Sequence, residues 1–537
     1  MHGFALLDYV VFTAYVAASV LIGVYFVKEQ KSVRDYFLAG QSMGWFVVAI
    51  SVIAALFSGI SYLGAPTEVY NNDMTYAVVL LSFFVATPVT TVVFLPFFYR
   101  LKLYSAYEYF EQRFDLQVRT WASAMFILRV IFYLALAIYA PALALAEVTK
   151  LPLWFSILGI GALTTLYTTL GGMKAVIWTD VMQFFVLLLG QVLVAWFAIT
   201  KIPGGFGETM RVAAEGGKFG IAWVEPQTVG AVGSAWGAFT GAISWNLLTR
   251  VTLWSALIGG IFSNLVQMGT DQISVQRYLT ARSLKEAQRS LWFKLAVTVP
   301  IVIVFYLMGA VLYAYYQVNP DPALAGLKQP DRIMPYFVVS ELPKGIPGIL
   351  IAAIFAATMS TVSSGINALS TASIMDFYRR NLSTEPAPDR LLKLSKWLTL
   401  VYGVLAMGAA FLMPYLGTLI EATNKIMGML GGPLLGVFLL GMLTKRATSR
   451  GALLGAFFGA VALAYIVFET KISFMWYSFF GCALTFGLGQ LFSLATGRPE
   501  PRQLEGLVWQ PGMARGGGTA APAAADAHDP GEGKLTP

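Results

Sequence analysis

The chain has 537 residues, 57% of them apolar and 12% charged, with a formal net charge of +8 at neutral pH. Soluble domains carry about 25% charged residues, so the composition excludes an ordinary soluble fold and points to a single domain embedded in lipid. One cysteine, Cys482, and two histidines, His2 and His528 at the chain ends, exclude a disulfide framework, a thiolate metal cluster and a buried imidazole base, which removes most of the equipment of an enzyme.

Apolar runs of about 20 residues, enough to cross a bilayer, predict thirteen helical spans near 5–27, 43–70, 76–99, 120–148, 153–170, 176–201, 250–275, 289–317, 346–375, 392–415, 419–443, 449–469 and 472–496. The first run has no basic residue before it and no small-residue cleavage site after it, so it is expected to stay as a span rather than to be removed as a signal. The second, SVIAALFSGISYLGAPTEVY, crowds Gly59, Gly64 and Pro66 into its outer half. The seventh, NLVQMGTDQISVQRYL, carries Gln267, Gly269, Thr270, Asp271 and Gln272 where apolar residues are expected. Each opens a block of five spans, 43–201 and 250–443, and because five is odd the blocks enter the membrane in opposite directions. Paired interruptions at matched positions of two inverted halves point to a solute site at the midplane of a secondary transporter, because unwound backbone is tolerated in lipid only where it lines a cavity.

The remaining segments are an N-terminal span with its loop (1–42), an extracellular loop (202–249), two additional spans (444–496) and a tail (497–537) rich in Gly, Pro and Ala that is expected to be disordered. Loops after odd-numbered spans hold most of the basic residues, among them Lys28, Arg34, Arg100, Lys102, Arg113, Arg119, Arg277, Arg282, Arg379, Arg380, Lys445 and Arg450. The positive-inside rule then places the N-terminus outside and the C-terminus in the cytoplasm of a multi-pass plasma-membrane protein. The net charge is accounted for by basic loops near anionic lipid. No stacked aromatic and basic pattern argues for nucleic acid, and no obligate protein partner is expected.

Span six holds Asp180, in YTTLGGMKAVIWTDVMQFF, about two turns from its cytoplasmic end. An intramembrane carboxylate is costly and marks a functional site by default; it needs a cation, and the only basic residue near it in sequence is Lys174. Span nine holds STVSSG, in which Ser360, Ser363 and Ser364 share one helical face and Thr361 sits about 100° away, with Ala357 one turn earlier. Such hydroxyls bond back to their own helix or admit close packing. Four together also suit Na+, which takes hydroxyl and carbonyl oxygens freed at a helix break.

The strings GGMKAVIWTDVMQ, SYLGAPTEVY, YRLKLYSAYEYFEQRF, MGTDQISVQRYL and GMLGGPLLGVFLLG, spread in order over about residues 5–450, resemble the sodium/solute symporter family, in its branch of iodide, multivitamin and monocarboxylate transporters. The resemblance implies an all-α, leucine-transporter-like fold with a five-plus-five inverted repeat, coupled to Na+ and needing no other cofactor. It implies a first sodium site at the carbonyls of Ala54 and Phe57 with Ala357, Ser360 and Thr361. A second, present in part of the family, falls on Asp180 with Ser360, Ser363 and Ser364, giving two Na+ per solute. The solute cavity is expected between the interruptions, at Ser58, Ser61, Tyr62, Gln267 and Thr270 and the outer part of span eleven, LIEATNKIMGMLGG. Lys425 departs from that branch: it either holds a solute carboxylate or pairs with Glu421 one turn earlier. Arg129 in span four is expected to contact helix-end carbonyls. The branch implies a small monoanion such as a monocarboxylate; the wider family adds sugars, sialic acid and proline. A sensor of this fold would need an attached signalling domain, for which the tail has no room, and a channel needs no paired sodium sites.

Overall fold

The computed structural model describes residues 5–26, 37–101, 103, 105–220, 246–326, 330–381 and 388–510. Among them no strand forms, only an isolated bridge between Met43 and Ala281. The helices follow in order: α1 (Leu6–Tyr25), α2 (Trp45–Leu56), α3 (Gly59–Asn71), α4 (Met74–Leu101), α5 (Leu116–Thr149), α6 (Leu153–Thr200), α7 (255–270), α8 (Gln272–Leu279), α9 (Leu284–Val318), α10 (Ile346–Tyr378), α11 (Pro388–Ala410), α12 (Leu419–Leu443), α13 (Ser449–Glu469) and α14 (Tyr477–Ala495). Among the described residues ten helices are long and apolar enough to cross a membrane, eleven if α2 and α3 make one bent span. Two expected spans fall outside that count for physical reasons. Leu153–Leu166 is a shorter apolar helix, and the 250–275 run is divided between α7 and α8.

The run α6 has 48 residues. Straight, it would measure about 72 Å, more than twice the ~30 Å hydrocarbon core. Its two arms pack as separate rods. Gly161 and Thr165 meet Met407 and Gly403 of α11, whereas Gly190 meets Ala353 and Asp180 meets Ser360 of α10. Helix α5 runs antiparallel to α10, with Leu134 at Gly365 and Pro141 level with Thr358. It reverses into the first arm through Lys150, held in the left-handed region at φ 59°. The two arms of α6 therefore run in opposite senses.

Helix α10 is the buried axis: from Leu350 to Ala372 every residue is buried. Its start lacks a capping side chain of its own, and Asp8 of α1 supplies one, its Oδ1 accepting the main-chain N–H groups of Gly345 at 2.8 Å and Gly348 at 2.9 Å. Helix α3 is clamped on α9, where a Cβ at Gly309 would lie 2.1 Å from the Pro66 carbonyl. Only glycine permits that approach.

A structureless tail from residue 497 is corrected for its first part. The Trp509 N–H donates to the Met442 carbonyl at 2.8 Å, Tyr109 Oη donates to the Leu507 carbonyl at 3.1 Å, and Leu507 and Val508 are buried. Two apolar side chains anchor an otherwise polar stretch; residues 511–537 lie outside the described part. Three of the arginines taken as loop charges, Arg113, Arg119 and Arg277, are also buried. Arg113 caps the end of α12, donating to the carbonyls of Gly441, Thr444 and Ala447.

Candidate functional site

Helix α2 ends at Leu56, where Phe57 (ψ 86°) and Ser58 (ψ 170°) leave helical geometry and α3 departs at 58°. Sequence sets this break locally. Ser58 is the N-cap of α3, its Oγ accepting from Ile60 N–H at 3.2 Å, and Gly59 lies where a Cβ would be 2.7 Å from Thr358. The last turn of α2 leaves carbonyls without an intrahelical donor. Thr361 of α10 reaches across to it, its Oγ1 donating to the carbonyls of Ala55 at 3.3 Å and Ala357 at 3.1 Å. The structure thus brings Ala357 and Thr361 against the turn that holds Ala54 and Phe57.

The second break is at Asp271 (ψ 121°), the N-cap of α8, whose carboxylate accepts from Ile273 N–H at 3.0 Å. Three polar groups at this break find partners from a distance. Tyr107 Oη donates to the Thr270 carbonyl at 3.1 Å, Gln272 Oε1 accepts from Ala106 N–H at 2.8 Å, and Asp271 Oδ2 pairs with Arg129 at 2.8 Å. Arg129 is therefore the counter-ion of the break, correcting the expected contact with helix-end carbonyls; it also reaches Met427 Sδ and lies over the ring of Phe126.

Between the breaks lies a cavity of about 200 Å³. Ser58, Ser61 and Gln267 line it, joined by Asn264, Thr298 and Asn424. Asn264 donates to Ser82 Oγ and Asn424 to Tyr76 Oη, both held in fixed orientations. Tyr62 does not reach the cavity: it is buried behind it, edge-on to Phe305 and against Gly190. Thr270 is likewise turned away, its hydroxyl donating to the Val266 carbonyl at 2.9 Å. Lys425 donates to the Leu416 carbonyl at 3.1 Å and lines no part of the cavity, and its expected partner Glu421 pairs instead with Arg250. One cation went unnoticed in the sequence. Lys294 of α9 is fully buried, 5.3 Å from the ring of Phe83, with no hydrogen-bond partner among the described residues. Phe83 and Thr298, the residue one turn on from Lys294, both line the cavity.

Asp180 sits at the meeting point of α2, the second arm of α6, α8 and α10. Its Oδ1 accepts from Ser360 Oγ at 2.6 Å and its Oδ2 from Ser51 Oγ at 2.5 Å. The cation it needs is Arg277 rather than anything near it in sequence: the guanidinium donates to Asp180 Oδ2 at 3.0 Å, to Ser51 Oγ at 3.0 Å and to Ser364 Oγ. Ser363 and Ser364 send their own protons back to the Ser360 carbonyl, so their oxygens act as acceptors, that of Ser364 for Arg277. The structure gathers Asp180, Ser360 and Ser364 around Arg277, while Ser363, among the described residues, bonds only the Ser360 carbonyl. Oxygen donors of this kind, with one carboxylate, suit a hard monovalent cation.

A membrane bundle whose two discontinuous helices enclose a mostly apolar cavity with a few polar side chains is the architecture of a secondary transporter. Residues 36–459 match the sodium:solute symporter family, and the chain belongs to that family. The sodium/sialic acid symporter SiaT of Proteus mirabilis is 34% identical over 483 residues, 90% of this chain and 93% of the relative. Human sodium-coupled monocarboxylate transporter 1 is 36% identical over 466 residues, 85% of this chain and 72% of the relative. The rabbit (Oryctolagus cuniculus) sodium-dependent multivitamin transporter is 35% identical over 86% of this chain and 70% of the relative. The solved structure of a substrate-bound, outward-open Na+-coupled sialic acid symporter superposes with a TM-score of 0.83 at 32% identity, covering 93% of this chain and 99% of that one. MHP1, a nucleobase-cation-symport-1 family transporter, shares the fold at a TM-score of 0.52 and 15% identity over 88% of this chain and 97% of that one. These relatives carry the names of transporters, not of enzymes.

Proposed function

We propose that the protein imports a small organic monoanion, most simply a monocarboxylate, with two Na+ per solute, by alternating access of two inverted five-span repeats (43–201 and 250–443) within a thirteen-span bundle whose N-terminus lies outside and C-terminus in the cytoplasm. The observation that carries the anion is Lys294. A buried ammonium with no counter-ion among the described residues lies behind Phe83 and one turn from Thr298, two residues of the cavity wall; it does not itself line the cavity, and a carboxylate bound against that wall would offset its charge. Ser58, Ser61 and Gln267 supply the remaining polar contacts. The cavity is smaller than the ~300–1,000 Å³ of sites for drug-sized ligands, which favours a solute of few heavy atoms.

The first Na+ is assigned to the carbonyls of Ala54, Phe57 and Ala357 with Ser360 and Thr361, and the second to Asp180, Ser360, Ser363 and Ser364. Two ions suit an anionic cargo. One Na+ with one monoanion moves no net charge, whereas a second makes the inward step net +1 and gains about 2.3 kcal/mol per 100 mV, beside about 1.4 kcal/mol per ion for each tenfold sodium gradient. Sialic acid is the second reading: it is itself a carboxylate, and relatives similar over nine-tenths of this chain are named for it. Sugar or proline transport finds no such support in the cavity.

Uptake of labelled lactate, pyruvate, pantothenate, sialic acid and glucose into proteoliposomes, with and without an inward Na+ gradient, tests the reading. Saturable uptake of a small monocarboxylate that needs Na+ and responds to the membrane potential is expected. Sodium-independent uptake of every solute removes symport; sialic acid alone shifts the substrate class.

A further inference from the structure

We propose that Arg277 and the second Na+ occupy the Asp180 site alternately, so that the arginine is a tethered counter-cation which sodium must displace. This rests on the second sodium site proposed above. The oxygens assigned to that ion overlap those that Arg277 uses. The guanidinium takes Asp180 Oδ2, Ser51 Oγ and Ser364 Oγ, while Asp180 Oδ1 holds the Ser360 hydroxyl. Asp180 and Arg277 are both without solvent exposure. One carboxylate balances one buried monovalent cation; a second beside it leaves a net positive charge in a site that water does not reach, the costly arrangement for a buried group. Sodium and guanidinium are therefore exclusive there.

The displaced side chain has a direction to move. A void of about 10 Å³, room for about one water, is lined by Arg277, Asp271, Gln267, Tyr133 and Thr361 and lies toward the solute cavity, with which it shares Gln267 and Tyr133. Asp271 already pairs with Arg129. A guanidinium swung to that side puts two cations on one carboxylate next to the cavity, a net positive charge as costly as the one at Asp180 unless an anion in the cavity neutralises it, so the displaced state favours anion binding. Sodium binding at Asp180 is thereby coupled to solute binding through charge, with Arg277 at the start of the relay. It is a positioning residue, touching neither solute nor, in the loaded state, the ion.

The test uses the full-length protein in nanodiscs, with Na+ binding followed calorimetrically against choline. Arg277→Gln is expected to tighten binding of one of the two ions by about tenfold, because its competitor is gone, and to weaken the enhancement of lactate affinity by Na+. In Arg277→Ala, free guanidinium at millimolar concentration is expected to compete with Na+, which it should not do in the parent protein. Arg277→Lys keeps the charge and serves if the neutral variants do not fold; its shorter reach should give intermediate tightening. Unchanged or weaker sodium binding in Arg277→Gln or Arg277→Lys, or no guanidinium competition in Arg277→Ala, overturns the exchange. Asp180→Asn separates the premise: if it leaves the number of bound Na+ and the Hill coefficient unchanged, the second ion site itself is wrong. If it removes one ion while the arginine variants bind sodium like the parent, the site stands and the exchange fails.

Discussion

The guanidinium of Arg250 holds both oxygens of Glu68, at 2.5 and 2.9 Å, and also reaches Glu421 at 3.3 Å. Arg250 precedes α7, Glu68 lies on α3, and Glu421 stands near the start of α12. Three elements that wall the cavity are thus tied together at one end of the bundle. Because Glu68 is buried and Arg250 half-exposed, the charge-assisted bonds are worth about 1.5–3 kcal/mol. Glu68→Gln is expected to lower thermal stability by that order. It should also raise, at least tenfold, the rate at which a cysteine introduced at Asn264 in a Cys482→Ser background is labelled from outside. An unchanged labelling rate means that this end is not held shut by the pair.

Lys294 predicts a trade between stability and transport. Lys294→Met removes a buried, unpartnered ammonium and keeps the length of the side chain, so the solute-free protein should gain about 1–3 kcal/mol of stability. Anion uptake should show a KM raised tenfold or more, with sodium affinity little changed. A destabilised variant that transports normally would falsify the assignment of Lys294 to the anion.

Asp331 gives a pH dependence outside the spans. Burial, followed by the nearby carboxylates of Glu68 and Glu421, raises its carboxyl from 3.8 to about 6, although Leu419 N–H bonds to it. Between about pH 4 and 6 the folded protein therefore binds a proton that the unfolded chain has lost, so stability falls as pH rises through that window and levels off above it, at a cost of about 3 kcal/mol. Asp331→Asn, which keeps an acceptor for Leu419, should abolish the slope and be the more stable protein at pH 7.5. Thermal unfolding from pH 4 to 8 measures both.

Lys425 is expected to be dispensable for the solute. Its ammonium serves the Leu416 carbonyl, so Lys425→Gln should leave KM for the anion within about twofold and cost at most about 1 kcal/mol of stability. A tenfold loss of anion affinity would return it to the binding site.

Both interruptions were legible because each is a local event. Ser58 and Asp271 are N-cap residues, with Gly59 and Gly269 beside the breaks, and those signals act within a few residues of themselves. The hydroxyl face of 360–364 was legible for the same reason, since helical spacing alone aligns Ser360, Ser363 and Ser364. Pairings across the bundle were not. Arg277 reads as a loop charge near the end of a span, and Arg129 as a lone cation in an apolar helix. Their carboxylates, Asp180 and Asp271, lie 97 and 142 positions away along the chain.

The solvent, the places where helices must break and the residue types able to surround a cation can all be read along the chain, because composition, capping and helical periodicity are properties of short stretches. Which charge meets which emerges only once the helices pack. A buried ion pair is set by how distant helices pack, and in this bundle that packing put an arginine against the carboxylate read as a place for sodium.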